Sequence, residues 1–199
     1  MQDPSGSSRR PPPDLSRETL LAVRRRDPEA LAALFEHSFD RLYGLAQRML
    51  GDRAAAEDVM QETYLRMHRA AATIDVERDP LPWLKSITAN LCRDHRRSFA
   101  AKVASRSEDV DDPAGRGGNL AGVGPDPEEH TLTAAREARV QAAVDALPEQ
   151  LREVVILKDY EGLDHVAIAG IVGTSHAAVR KRYSRALEQL GEALKDVWP

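Results

Sequence analysis

From Asp14 onward the apolar positions recur every three to four residues, the period of a helix laid against a core, and no stretch alternates with the period of a strand. Asp14 or Ser16 opens a short helix that runs to about Arg25. Asp27-Pro28-Glu29 then supplies a cap, a proline at the first helical position and an acid at the positive end of the helix dipole. Leu31, Leu34, Phe35, Leu42, Leu45 and Met49 follow as one stripe, and Gly51 stops the run. Asp52 caps a third helix whose inner face is Ala56, Val59, Met60, Thr63, Tyr64 and Met67. The polar break TIDVERDP separates it from a fourth helix opened by Pro80 and Pro82, with Trp83, Leu84, Ile87 and Leu91 on one side.

Residues 101–130 break the pattern. They are rich in Gly and Pro and poor in large apolar groups, the composition of a linker that cannot bury enough surface to offset its ordering entropy. Patterning resumes with a helix over 133–146, stopped by Leu147-Pro148, and a second over 149–160, stopped by Gly162. Asp164 caps a short helix to Val172, Gly173-Thr174 makes a tight turn, and Ser175 caps a longer helix with Val179, Ala186, Leu187 and Leu190 inward. A short helix, a glycine turn and a longer helix make a helix-turn-helix. The reading is an all-α chain: a tail over 1–13 ending in three prolines, a helical domain over 14–100, a flexible acidic linker over 101–132 and a helix-turn-helix domain over 133–199.

Composition agrees with helices packed on small residues, since aromatics are only 5% of the 199 residues. The net charge of −4 is uninformative until it is divided. Residues 14–100 balance at 14 basic and 14 acidic, 134–199 stand at nine and ten, and 101–133 hold three and seven, so the deficit belongs to the linker. Near-neutral domains leave room for polarised faces and hence for a nucleic-acid partner. The single cysteine, Cys92, excludes a disulfide framework, and the six histidines share no metal-ligand spacing with it, so no metal and no cofactor are expected. No apolar run approaches the length of a membrane span, and the Arg9-Arg10 pair has no apolar stretch behind it as a secretory signal would, so a cytoplasmic chain without membrane insertion is expected. No phosphate-binding loop, dinucleotide turn or nucleophile elbow is present, and an enzyme is not expected.

The chemistry that remains is recognition. After the Ser175 cap, His176, Ala177, Arg180, Lys181 and, a turn on, Arg185 point outward, where the first turns of a recognition helix meet base edges and phosphates. Arg93, Arg96 and Arg97 end the fourth helix, where cations suit the dipole and could equally contact phosphate. Trp83 could stack on a base or sit in the core. Glu57, Asp58, Gln61 and Glu62 give the third helix an acidic face, suited to solvent or to a protein partner.

Two stretches carry a resemblance that decides among these. DRAAAEDVMQETYLRMHRA with PLPWLKSITANLCRDHRRS resembles region 2, and LPEQLREVVILKDYEGLDHVAIAGIVGTSHAAVRKRYSRALEQL resembles region 4, of the bacterial RNA polymerase sigma factors of extracytoplasmic-function type. The resemblance implies that Asp58, Gln61 and Glu62 grip the β′ clamp of core RNA polymerase, with the β flap as a second contact. It implies that the break Thr73–Pro80, including Thr73, Ile74 and Asp75, forms the loop that receives a flipped base of the −10 element. Asn90 would line that pocket, Trp83 would support it, and Arg93, Arg96 and Arg97 would follow the strand. Ser175, His176, Ala177, Arg180, Lys181 and Arg185 would dock in the −35 major groove. Promoter DNA, core polymerase and an anti-sigma factor clamping both domains are the implied partners. His176-Ala177-Ala178 and the acids Asp75, Glu77 and Asp79 depart from the common pattern and leave the base preferences open. The rival readings are a helix-turn-helix regulator acting without polymerase, which leaves the acidic motif of the third helix without a role, and a decoy that occupies polymerase without reading promoters.

Overall fold

The computed structural model describes the backbone of residues 15–106 and 127–195 and the side chains of 15–102 and 135–195; the tail and residues 107–126 of the linker lie outside the described residues. The described elements are helices α1 (Arg17–Arg24), α2 (Pro28–Leu50), α3 (Arg53–Ala70), α4 (Leu81–Arg106), α5 (Pro127–Ala146), α6 (Glu149–Val155), α7 (His165–Val172) and α8 (His176–Leu194). A 3-10 turn, Ala71–Thr73, follows α3, and a π-helical turn, Ile156–Tyr160, prolongs α6. No strand occurs among the described residues.

The caps stand where short polar side chains precede apolar stripes. Ser16, Asp27, Asp52, Asp164 and Ser175 each accept a backbone N–H from the first turn of the helix they open. Ser16 makes the bond of the first cap, and the other candidate, Asp14, lies outside the described residues. Asp164 accepts from Ala167 at 2.8 Å and Val166 at 2.9 Å, and these bonds hold its carboxyl below the usual aspartate range, the Ala167 bond foremost. Gly51 and Gly173 end α2 and α7 in the left-handed conformation, φ 69° and 65°, that a residue with a Cβ rarely adopts.

Two helices are longer than their patterns predict. α4 continues to Arg106 through the alanine-rich AKVASR, and α5 begins at Pro127, a residue fitted to the first helical turn, so both ends of the expected linker are helical. The predicted helix over 149–160 changes pitch instead of running straight: the Glu161 N–H bonds back to the Ile156 carbonyl, five residues earlier, and sets Glu161 over the buried Ile156.

α1 to α4 form a bundle around Leu31, Leu34, Leu42, Met67 and Leu84. α5, α6 and α8 pack around Val144, Leu147, Leu151, Val155 and Ala186. Leu187, expected inward, is 46% exposed, because α8 buries Val179 and Ala186 and turns the following position to solvent. A third interior belongs to neither half alone. Leu45, Met49, Val59, Ala89 and Cys92 from the bundle share it with Val154, Leu157, Ile168 and Val172 from the second half. The two helical units therefore close on one another over a common apolar layer.

Candidate nucleic-acid and protein interfaces

The recognition-helix face is laid out as its spacing predicts. Ser175, His176, Ala177, Arg180, Lys181 and Arg185 are all exposed, while Val179, one turn into α8, is fully buried and anchors it against α7. Among the described residues no carboxylate forms an ion pair with Arg180, Lys181 or Arg185, so three cations stand free along one face. The His165 ring lies between those of His176 and Tyr183, at 5.9 and 5.4 Å, and ties the starts of α7 and α8 together. The Tyr183 hydroxyl donates to Asp159, and its pKa is pushed up to about 12, by burial first and then by that carboxylate.

In the bundle, α2 and α3 frame an apolar groove. Phe35 meets Phe39 and Tyr64 edge-on at 5.7 and 5.2 Å, and Phe39 stacks on Tyr43. Gln61 and Leu65 complete one wall, with Phe39 and Leu65 both well exposed. Asp58 is exposed beside it, and Glu62 is half-exposed, paired with Arg66 at 3.3 Å and Arg69 at 3.6 Å. An acidic edge beside an exposed aromatic groove is a protein-contacting surface in kind. The third helix shows its acids in the sequence; the groove, which needs α2 as its second wall, does not.

The residues between α3 and the end of α4 divide. Thr73 and Asp75 are exposed: the Thr73 hydroxyl donates to the Ala70 carbonyl, and Asp75 pairs with Arg78. Ile74 is 6% exposed and belongs to the bundle core, next to the 3-10 turn that packs against α1 and α3, so it is not placed to touch a base. Trp83 packs partly against the same core, and Asn90 is half-buried. Arg97 is exposed and near Asp94. Arg93 and Arg96 point elsewhere.

Both arginines reach the second half of the chain. Arg93 Nε lies 3.0 Å from Glu153 Oε1, off the N–H direction, so the contact is an ion pair rather than a directed hydrogen bond. Its guanidinium also donates to the carbonyls of Ile171 and Val172, the negative end of α7. Arg96 pairs with Glu149 at 3.0 Å. A second cluster centres on Glu161, whose carboxylate is almost wholly buried. It accepts a hydrogen bond from Arg48 at 3.4 Å and forms an ion pair with Lys85 at 3.0 Å, while Lys85 Nζ donates to the Glu161 backbone carbonyl at 2.8 Å. Arg48 lies 5.0 Å from the centre of the Tyr160 ring. Burial pushes the Glu153 carboxyl above the usual range, against the pull of Arg93 and Arg96. None of Lys85, Glu149, Glu153 and Glu161 stands out in the sequence, since a charge in an amphipathic helix reads as a solvated one.

Cys92 is fully buried in the shared interior, and its thiol is pushed up to about 12, chiefly by burial. A group so placed is chemically quiet in the closed molecule.

The Sigma-70 region 2 family matches residues 34–103, and the Sigma-70, region 4 family matches residues 137–190. The two matches fall on the bundle and on the helix-turn-helix, in that order. The chain belongs to the sigma factors of extracytoplasmic-function type. This sigma factor is 34% identical over 156 residues to the ECF RNA polymerase sigma factor SigE of Mycolicibacterium smegmatis, covering 78% of its own length and 58% of the relative's. It is 27% identical over 186 residues to the ECF RNA polymerase sigma factor SigW of Bacillus subtilis, covering 91% and 97%. The sigma factor thus spans little more than half of the first relative and nearly all of the second. Its fold is also that of the sigma factor RpoE solved in complex with the anti-sigma factor NepR from Bartonella quintana, at a TM-score of 0.59 and 20% identity over 90% of this chain and 96% of that one. No helix among the described residues of this sigma factor is long and apolar enough to cross a membrane.

Proposed function

We propose that this sigma factor is a non-catalytic subunit that joins core RNA polymerase in the cytoplasm, reads a promoter of two elements and directs initiation there. The observation that carries the reading is the pairing of two surfaces on one chain: the free basic face of Arg180, Lys181 and Arg185, and the acidic, aromatic groove of α2 and α3.

The first surface supports docking in the −35 major groove. His176, Ala177 and Arg180 occupy the first turns of α8, Ser175 presents the cap, and Lys181 and Arg185 reach the flanking phosphates. The second supports the grip on the β′ clamp of core polymerase, with Asp58, Gln61 and Glu62 giving charge complementarity and Phe39 and Leu65 the apolar centre. Region 4 also faces the β flap in this reading. Thr73, Asp75, Asn90, Trp83 and Arg97 serve the −10 strand, joined by Arg93 and Arg96 when these are released from their carboxylates. Two weak binding domains on one chain act together by effective concentration, so neither holds a promoter alone. An anti-sigma factor that covers the exposed groove of α2 and α3 is the regulatory partner the surface suits.

The test is run-off transcription from fragmented genomic DNA with core polymerase. Discrete transcripts are expected only when the protein is added, and the Arg180→Ala/Lys181→Ala variant should yield at least about tenfold less, two lost phosphate or base contacts being worth about 1–3 kcal/mol each. Binding to core without any transcript would leave the decoy reading, and tight binding of the free protein to palindromic DNA without core would leave the polymerase-independent regulator.

A further inference from the structure

We propose that Arg24, Arg25 and Arg26, at the turn between α1 and α2, form a phosphate-binding site for the backbone of a single DNA strand beside the Thr73–Asp75 loop. The proposal rests on the reading of that loop as the element that meets the −10 strand, and it supplies a contact the loop cannot make itself.

The loop is poorly charged for a polyanion. It carries Asp75, Glu77 and Asp79, and the cations that touch it are occupied. Arg78 pairs with Asp75 at 3.3 Å, and Arg17 of α1 pairs with Glu77 at 2.6 Å. Such a loop can take up a base, but the phosphates flanking that base need cations from elsewhere.

The turn between α1 and α2 offers them. Arg24, Arg25 and Arg26 are all exposed, and among the described residues no carboxylate forms an ion pair with any of the three. Arg24 lies in the last turn of α1, where one cation answers the helix dipole, so Arg25 and Arg26 exceed that need. The turn also lies against the loop. Arg26 Nη2 donates to the Arg69 carbonyl at 3.4 Å, and the Thr73 hydroxyl donates to the next carbonyl, that of Ala70, at 2.8 Å. Arg26 and Thr73 thus cap neighbouring carbonyls at the end of α3, and α1 packs on the 3-10 turn that ends in Thr73.

The backbone singles out Arg26. Its N–H bonds to the Val23 carbonyl at 2.8 Å, and that of Asp27 bonds to the Ala22 carbonyl at 3.1 Å, the paired bonds of a Schellman helix end. That motif sets Arg26 in the left-handed region, φ 61°, where glycine is the unstrained choice. An arginine there strains the backbone, and strain of this kind gathers at functional sites.

The experiment uses the full chain and a mixed-sequence single-stranded DNA of about 30 nucleotides, followed by anisotropy between about 20 and 200 mM KCl. Arg24→Gln/Arg25→Gln/Arg26→Gly should bind at least about tenfold more weakly. Its plot of log affinity against log salt should be shallower by about 2, near 0.7 for each lost phosphate contact. A control of equal charge in the second half, Arg136→Gln/Arg139→Gln/Lys195→Gln, should keep the wild-type slope. Arg26→Gly alone separates binding from folding: weaker strand binding is expected together with a melting temperature at or above that of wild type.

A slope within about 0.5 of wild type in the triple variant overturns the proposal, as does an equal loss in the control. Wild-type protein that leaves the strand unbound at the lowest salt overturns it too. So does a triple variant that keeps strand binding but sediments less with core polymerase, which would make the turn a contact for an acidic protein surface. Should the triple variant lose helicity, Arg26→Gly is held to the same criteria, with a slope change of about 0.7. Run-off transcription by the wild-type protein tests the sigma-factor reading separately: transcripts with an unchanged slope in the variant strike this site alone.

Discussion

Replacing Arg93 by Met is expected to lower the unfolding free energy by about 3 kcal/mol, whereas Glu153→Gln should cost less than half as much, the asymmetry of a buried pair broken from its two ends. Arg93 donates to two acceptors, the carbonyls of Ile171 and Val172, and forms an ion pair with the Glu153 carboxylate. Without it, Glu153, 8% exposed at its side chain, stays behind as a buried charge with no cation in direct contact. Removing the Glu153 charge instead leaves Arg93 anchored on the end of α7 and relieves a carboxylate whose ionised form burial already disfavours. The pH dependence has a definite sign. A carboxyl whose pKa is raised on folding adds stability below its unfolded pKa and loses it as pH rises through the folded value. Wild type should therefore fall relative to Glu153→Gln between the ordinary glutamate range and neutrality. Urea melts of both variants at about pH 4 and pH 7 check the order and the sign. If Glu153→Gln proved the costlier change, the carboxylate rather than the guanidinium would be the anchor.

Leu65→Asp is expected to weaken binding to core polymerase by at least about 100-fold while leaving the melting temperature within a degree or two, because apolar groups at the centre of an interface carry most of its binding energy. Leu65 is 45% exposed, so its replacement leaves no cavity in the bundle. It stands beside Gln61 in the wall of the aromatic groove, where an added carboxylate would be desolvated without a partner on docking. Sedimentation of the variant with core polymerase measures the loss. Binding as tight as wild type would move the polymerase-binding surface off this groove, and with it the roles given to Asp58, Gln61 and Glu62.

What could be read from the sequence was local. The five capping side chains act within three residues of themselves, and the stripes of α2 and α3 need only the helical period, so each is found where the pattern places it. The outward face of α8 follows from Ser175 and Val179 alone. The errors are also local in cause. Nothing in ILKDY announces a five-residue hydrogen bond, and Ile74 sits in a polar run, so its burial is decided by the turn before it. The closure of the two halves could not be read at all. Lys85 and Glu161 are 76 residues apart and Arg48 and Glu161 are 113 apart, and a single sequence holds no signal that pairs them. Arg93 and Arg96 show the result: helix dipole and phosphate both suit them, and the molecule adds a third partner, the other domain's carboxylates.

The interior that Met49 and Cys92 share with Leu157 and Ile168 also makes this protein sensitive to cold. The favourable free energy of apolar burial shrinks on cooling, and the penalty for stripping water from charges such as Glu161 and Lys85 grows. Both changes act in one direction, so warming tightens the closed form and cooling loosens it. Cys92 labelling, scaled to the rate of the same thiol in the urea-unfolded chain, should therefore speed up between about 30 and 5 °C, where ordinary chemistry slows. A scaled rate that is flat or falls would show that the shared layer is not what holds the halves together. The hold between the two halves of this sigma factor is thus expected to depend on temperature as well as on the contacts that make it.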